Sequence, residues 1–322
     1  MKYLLFIFCL IISNFSLGKV SIIDSSVIEV FNNHDFSKVT TIKELATEIS
    51  VLTNSNSKKL QLLLLWSDRF MFVDSARFFA YGAPKNIAQA FKERKGLCDE
   101  FSGIVNEFCQ IQHIPCFKVT GYVAEGETID NSLFVEENHA WNAVFIDNTW
   151  LLCDLFWSTS KLNSNNSFIK KLDETYFLAN GYAFMHNHLP ADPVFQLLDY
   201  PIKIDSFKKI IDEIEPTNHL CNYKDSLAAL LKMDVKEQNV KIARQAYNYN
   251  PLNPNILAIA LYNYGVSIIK NKSANKAEFI KANHLFTEAI PLTEKSSKPY
   301  IKELKSSCES GIKFANQKLS IK

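Results

Sequence analysis

Apolar and polar positions divide the chain into a mixed first part and a purely helical second part. Between residues 41 and 52, Ile42, Leu45, Ile49 and Leu52 recur at three- and four-residue steps, which predicts a helix with Thr41 as its N-cap. Residues 57–68 carry the run L-Q-L-L-L-L-W and read as a second helix, central to the core. The aromatic stretch 78–82, followed by Pro84, breaks the pattern, and 86–92 makes a short helix. From Gly96 to Gln110 a tight turn leads directly into a helix whose buried face is Phe101, Ile104, Val105 and Phe108.

After Pro115 the period changes. Residues 116–123 are β-branched and aromatic and predict a strand, whereas 124–138 are acidic and polar and read as a loop. Two further strands, 139–146 and 149–157, flank Asp147-Asn148, a pair that tolerates the left-handed backbone of a two-residue hairpin turn. With that turn Ile146 faces Thr149 and Trp141 faces Asp154, so His139 and Asp154 project from one face as diagonal neighbours. A one-residue slip would separate them. Residues 158–166 have the composition of an exposed loop, and 173–200, rich in aromatics and punctuated by Pro190 and Pro193, read as irregular strand and turn structure.

Beyond about Ile204 only helical spacing remains, over 225–233, 235–249, 255–270, 276–294 and 298–319. The segments A-L-Y-N-Y-G-V and K-A-N-H-L-F-T resemble a degenerate tetratricopeptide helix pair. Fewer than three copies are visible, so a small helical bundle fits equally. The expected fold class is α+β over 19–203, helices packed on an antiparallel sheet, followed by an all-α domain over 204–322.

Composition is that of a globular protein: 47% hydrophobic, 21% charged and net charge +1, which removes disorder and an electrostatic case for nucleic acid. Residues 1–18 have the shape of a secretory signal peptide, with Lys2, an apolar stretch over 3–12, and Ser16 and Gly18 as candidate cleavage positions. A secreted or periplasmic protein is therefore expected, without stable membrane insertion, because no run reaches spanning length. Beyond Cys9 the cysteines are Cys98, Cys109, Cys116, Cys153, Cys221 and Cys308, with no C-x-x-C pair. Cys98 and Cys109 share a helical face about 16 Å apart, too far to bridge. No metal or cofactor is expected: His186 and His188 in H-N-H lack an H-E-x-x-H frame or a third ligand.

The chemistry-bearing residues are Cys98, His139 and Asp154, in that order. A thiol at a helix N-terminus sits at the positive end of the macrodipole, which favours thiolate. An imidazole can take its proton and return one to a leaving amine, while a carboxylate fixes the imidazole tautomer. The first N–H groups of a helix lack intrahelical partners, so the Cys98 amide is a candidate oxyanion donor.

G-L-C-D-E-F-S, H-A-W-N and D-L-F-W, whose key residues are 41 and 15 positions apart, resemble the three signature blocks of the transglutaminase-like superfamily, whose core is papain-like. L-A-T-E-I, the Trp66 helix, the Asp74 segment and N-H-L-P-A-D-P-V-F-Q-L-L are similar to the kyphoscoliosis-peptidase branch. The resemblance covers residues 40–200. It implies Cys98, His139 and Asp154 as a catalytic triad acting on peptide or protein amides through a thioester, with proteolysis ahead of crosslinking. In transglutaminases a tryptophan upstream of the cysteine assists the oxyanion, and Trp66 is the candidate here, with a buried core role as its plain alternative. Trp141 packs around the hairpin or lines the substrate cleft. Asp99-Glu100 departs from the small pair common after the cysteine, and nothing resembles the calcium-binding regions or β-domains of animal transglutaminases. The competing reading is a catalytically silent scaffold whose helical tail engages a protein partner.

Overall fold

The computed structural model describes residues 22–124, 131–207 and 216–320; the expected signal peptide at 1–18 lies outside them. The described residues open with α1 (Ser25–Asn33), α2 (Ile42–Leu52) and α3 (Asn56–Phe70). Thr41 caps α2 through a reciprocal capping box with Glu44, as the sequence predicts. The run Leu60 to Ser67 in α3 is buried throughout, so this helix threads the first core. There follow β1 (Phe72–Val73), α4 (Ser75–Phe79), α5 (Ile87–Glu93) and β2 (Lys95–Gly96), with β1 and β2 paired in parallel. Arg94 adopts a left-handed φ of 56°, turning the chain out of α5 into β2. Two residues later α6 (Cys98–Ile111) begins.

The main sheet is antiparallel, built from β3 (Cys116–Val123), β4 (His139–Ile146), β5 (Thr149–Cys153) and a later strand introduced below. Asp147 and Asn148 both have positive φ, 49° and 62°, and Ile146 pairs with Thr149, the turn and register that the sequence predicts. One boundary differs. The strand expected to run to Trp157 stops at Cys153, because the Asp154 carboxylate accepts from the Trp157 amide and starts a helical turn, α7 (Leu155–Thr159).

The exposed loop expected at 158–166 is instead mostly a hairpin, β6 (Ser160–Leu162) paired with β7 (Phe168–Lys170). Ser158 and Thr159 are fully buried, the Thr159 hydroxyl donates back to Leu155 O, and Asn163 and Asn166 form the turn. Polar composition misleads here because the Thr159 and Ser160 hydroxyls bond back to Leu155 O and Phe156 O within the chain. Short α8 (Gly181–Phe184) and β8 (His188–Pro190) follow, and β8 completes the sheet order β5-β4-β3-β8.

The tail is α9 (Tyr223–Leu230), α10 (Val235–Tyr249), α11 (Asn255–Lys270), α12 (Lys276–Lys295) and α13 (Pro299–Ser320). The sheet lies between two apolar layers. On one face Val144, Ile146 and Cys153 pack with Phe101, Ile104, Val105 and Phe108 of α6. On the other, Phe117, Val119, Trp141 and Leu152 pack with Phe195 and with Leu227, Leu230 and Ala246 of the tail. The first tail helices thus share a core with the sheet, and α11–α13 surround a third cluster centred on Phe286. Among the described residues no helix is long and apolar enough to cross a membrane.

Asp192, just after β8, gives this core a pH dependence. It is buried, with one oxygen accepting from the Val194 amide and the other without a partner. Burial pushes its carboxyl up to about 7, against the opposing pull of the Val194 amide and the Lys241 charge. A raised acid pKa means that the fold holds the proton more tightly than the unfolded chain does. Its stabilising contribution is therefore present at low pH and is lost as pH rises from the ordinary carboxylate range through about 7. Asp192→Asn keeps the cap without the charge and is expected to gain roughly 2 kcal/mol at pH 8 and almost nothing at pH 4. Thermal denaturation at both pH values checks this, and an equal shift at both would refute it.

Candidate active site

Strand parity builds the site. Gly121 of β3 pairs with His139 of β4, and Val123 pairs with His188 of β8, so both histidines stand on the same face of the sheet. Asn142 pairs with Cys153, which brings Asp154, the residue after the strand, opposite Trp141 and onto that face as well. Gly121 makes the close approach possible, since a β-carbon there would lie 2.3 Å from Leu189 O and 2.6 Å from Trp141.

The result is a buried charge centre. His139 Nε2 lies 2.6 Å from Asp154 Oδ2, and the two side chains are almost inaccessible. Asp154 Oδ1 accepts from the Trp157 amide at 3.1 Å. His188 Nε2 lies 3.2 Å from the same Oδ2. Burial works against the charged imidazole of His139, but the Asp154 charge and hydrogen bond outweigh it, and the neighbouring Cys98 side chain adds to them, so the His139 pKa is raised. Asp154 is held well below the usual carboxylate range: burial opposes ionisation, and His139 and His188 overcome it. His188 goes the other way, down to about 4, because burial and the nearby His139 charge exceed the help of Asp154. His188 is therefore neutral at pH 7 and donates its Nε2–H to the carboxylate. Its Nδ1 lies 2.6 Å from Asn187 Oδ1, and the Asn187 Nδ2 donates to the Tyr176 hydroxyl at 3.0 Å.

Three donor atoms, one each from His139, Asp154 and His188, lie within 4.8 Å of one another. Both ring nitrogens lie within hydrogen-bond distance of the same carboxylate oxygen, at 2.6 and 3.2 Å. The donor set is satisfied by hydrogen bonds.

The family model described as the transglutaminase-like superfamily matches residues 43–155, which contain Cys98, His139 and Asp154. Residues 43–155 form a transglutaminase-like domain. The chain is similar to the kyphoscoliosis peptidases of Mus musculus and Homo sapiens, each 26% identical over 175 residues, a match spanning 52% of this chain and 26% of theirs. It is also 21% identical over 127 residues to the Lim and transglutaminase domain protein ltd-1 of Caenorhabditis elegans, covering 35% of this chain and 17% of that one. The crystal structure of a TGase is 16% identical, covering 50% of this chain and 40% of its own, with a TM-score of 0.31.

Within the transglutaminase-like domain, Cys98 is half-buried at the first turn of α6, with Leu97 as the N-cap residue. The turn before it is tied down by Glu100, fully buried, which accepts from the Leu97 and Lys85 amides at 2.6 Å each and pairs with Arg77. Lys85 reaches on to Asp74 at 2.8 Å. Lys118 pairs with Asp99 at 2.5 Å, next to the cysteine. α6 is joined to β4 by Asn142 Nδ2, which donates to Ser102 O at 3.1 Å.

The two tryptophans lie apart. Trp66 is fully buried, stacked on Phe91 at 4.7 Å beneath the Arg94 guanidinium, with an indole N–H that has no partner. Trp141 is also fully buried, behind the imidazoles at 5.8 Å from His139 and 5.2 Å from His188. Trp157, half-buried, stands 5.7 Å from His139 and 4.6 Å from His188. Of the H-N-H pair, His186 is exposed and His188 is the inward one. Sequence reasoning treated these two histidines together as a weak metal motif and missed the role of His188. Alternation inside a short strand before Pro190 is the signal that could have singled it out.

Proposed function

We propose that the transglutaminase-like domain is a cysteine acyl-transfer enzyme that cleaves peptide or protein amides, with Cys98 as nucleophile, His139 as proton carrier and Asp154 as its orienting carboxylate. The observation that carries this reading is the buried His139–Asp154 pair, in which His139 Nε2 lies 2.6 Å from Asp154 Oδ2. The other ring nitrogen, Nδ1, is then the one left for the thiol. His139 holds the thiol proton as imidazolium, and the Cys98 thiolate bonds to the carbonyl carbon of the substrate. The oxyanion is received at the amino end of α6. Collapse breaks the C–N bond as His139 delivers that proton to the leaving amine, and a thioester remains. Water, deprotonated by His139, then releases the acid and regenerates the thiol. A lysine amine in place of water would give crosslinking, and the same thioester serves both.

Thioester trapping tests the proposal. The protein is mixed with a slowly deacylating peptide ester, quenched in acid and mapped by mass spectrometry. An acyl adduct confined to Cys98 and released by neutral hydroxylamine is expected. No adduct at Cys98, or one spread equally over the other cysteines, sinks the reading. Adding a lysine analogue during turnover separates hydrolysis from transfer.

A further inference from the structure

The helical tail grips the stretch of chain that leads into His139. Most of its hydrogen bonds come from one short piece, Asn250-Pro251-Leu252-Asn253-Pro254-Asn255, the connection between α10 and α11 with the first residue of α11. Asn250 Nδ2 donates to Phe134 O and to the Tyr122 hydroxyl, at 2.7 Å each. Asn253 Nδ2 donates to the same hydroxyl at 3.0 Å and to Glu137 Oε2 at 2.9 Å. Asn255 Nδ2 donates to Val135 O at 3.2 Å, and its own oxygen accepts from Ser296 at 2.6 Å. These three asparagines are buried, at 1%, 0% and 2% exposure. From α13 and the turn before it, Tyr300 bonds to Glu136, and Lys298 pairs with it at 2.5 Å.

All of these contacts converge on the site. Glu137 lies two residues before His139, and Tyr122 follows Gly121, the residue that pairs with His139. Asn138 closes the same corner, its side chain bonding in both directions to the Val123 backbone and its amide donating to Gly121 O at 3.0 Å. Buried amides that bridge two backbone carbonyls and a tyrosine are costly to leave unsatisfied, so this corner has one arrangement.

We propose that Asn250, Asn253 and Asn255 are positioning residues, and that the helical tail is a brace that fixes His139 against Cys98. This inference rests on the catalytic reading above for its consequence, but the brace itself is a separate physical claim. It also gives the inner side of the tail an intramolecular partner.

Asn250→Asp in the full chain tests it, because the shape is kept while donation to Phe134 O is lost. Asn253→Ala is the second variant, and Asn283→Asp is the control: that asparagine donates to Asn316 between α12 and α13, within the same tail. Two readouts are needed, amide hydrogen exchange over 131–138 and the rate at which iodoacetamide alkylates Cys98. Asn250→Asp and Asn253→Ala are expected to speed exchange over 131–138 by about tenfold or more, with α3 and α6 unchanged. Alkylation of Cys98 at neutral pH is expected to slow by about tenfold, and the control to match wild type in both. Wild-type exchange over 131–138 in both variants overturns the brace. Faster exchange with unchanged alkylation overturns the positioning of His139. If wild-type Cys98 itself reacts no faster than an unfolded-state thiol, the catalytic reading fails, and the exchange data still decide the brace.

Discussion

Cys98→Ala is expected to abolish amide turnover, and Asp154→Asn to reduce it roughly a thousandfold or more. The asparagine keeps the shape, and its oxygen can still accept from the Trp157 amide that Oδ1 serves in the wild type. What it removes is the charge that lifts His139. Without it, burial is the dominant influence on the imidazole and favours the neutral ring. The sign of the stability change follows. His139, raised in the fold, contributes stability that is present below its unfolded pKa and lost only as pH rises through the folded value. Asp154, depressed in the fold, contributes stability present above its unfolded pKa and lost as pH falls through the folded one. Both contributions are present at neutral pH, so Asp154→Asn also lowers the melting temperature there. Steady-state turnover of a peptide amide, normalised to active sites titrated with a thiol reagent, gives the comparison. Turnover by Asp154→Asn within a factor of about ten of wild type would contradict the assignment.

Glu100→Ala is expected to cost 3 to 5 kcal/mol, roughly the loss on breaking a buried ion pair from one side. Glu100 is fully buried and accepts two backbone N–H bonds besides pairing with Arg77. Truncation leaves the Leu97 and Lys85 amides without this acceptor and the 11%-exposed Arg77 side chain without its near charge. Because Leu97 is the residue before Cys98, the turn that presents the thiol loosens too. Glu100→Gln keeps an acceptor oxygen and is expected to be milder. Urea denaturation gives the stability difference, and a loss under about 1 kcal/mol for Glu100→Ala would show that Arg77 finds other company.

Local pattern carried much of the fold. The bounds of the 116–123 and 139–146 strands and of the 235–249 and 255–270 helices agree with the structure, because each is set by period and by turn or cap residues a few positions away. The hairpin turn did more, since a period of two converts one turn into a statement about which side chains share a face. His139 meets Asp154 for that reason. Misreadings came where polar side chains bond back to their own backbone. Asp154 ends a strand by capping α7, and the serines, threonines and asparagines of 158–166 build a bend and a hairpin.

The sequence by itself determined the elements, the order of Cys98, His139 and Asp154, and the parity that lets the last two meet. Tertiary structure decided what surrounds them. His188 joins the carboxylate because β8 pairs with β3, a contact between residues 65 positions apart at closest (188 − 123 = 65) that no local period announces. Glu100 is an anchor because Arg77 and Lys85 fold back onto it, and the tail asparagines reach Phe134, Val135 and Glu137 across more than a hundred positions. Side chains of this kind look the same on a surface and in a core. Only the burial that makes an unpaired donor costly reveals which of them are fixed.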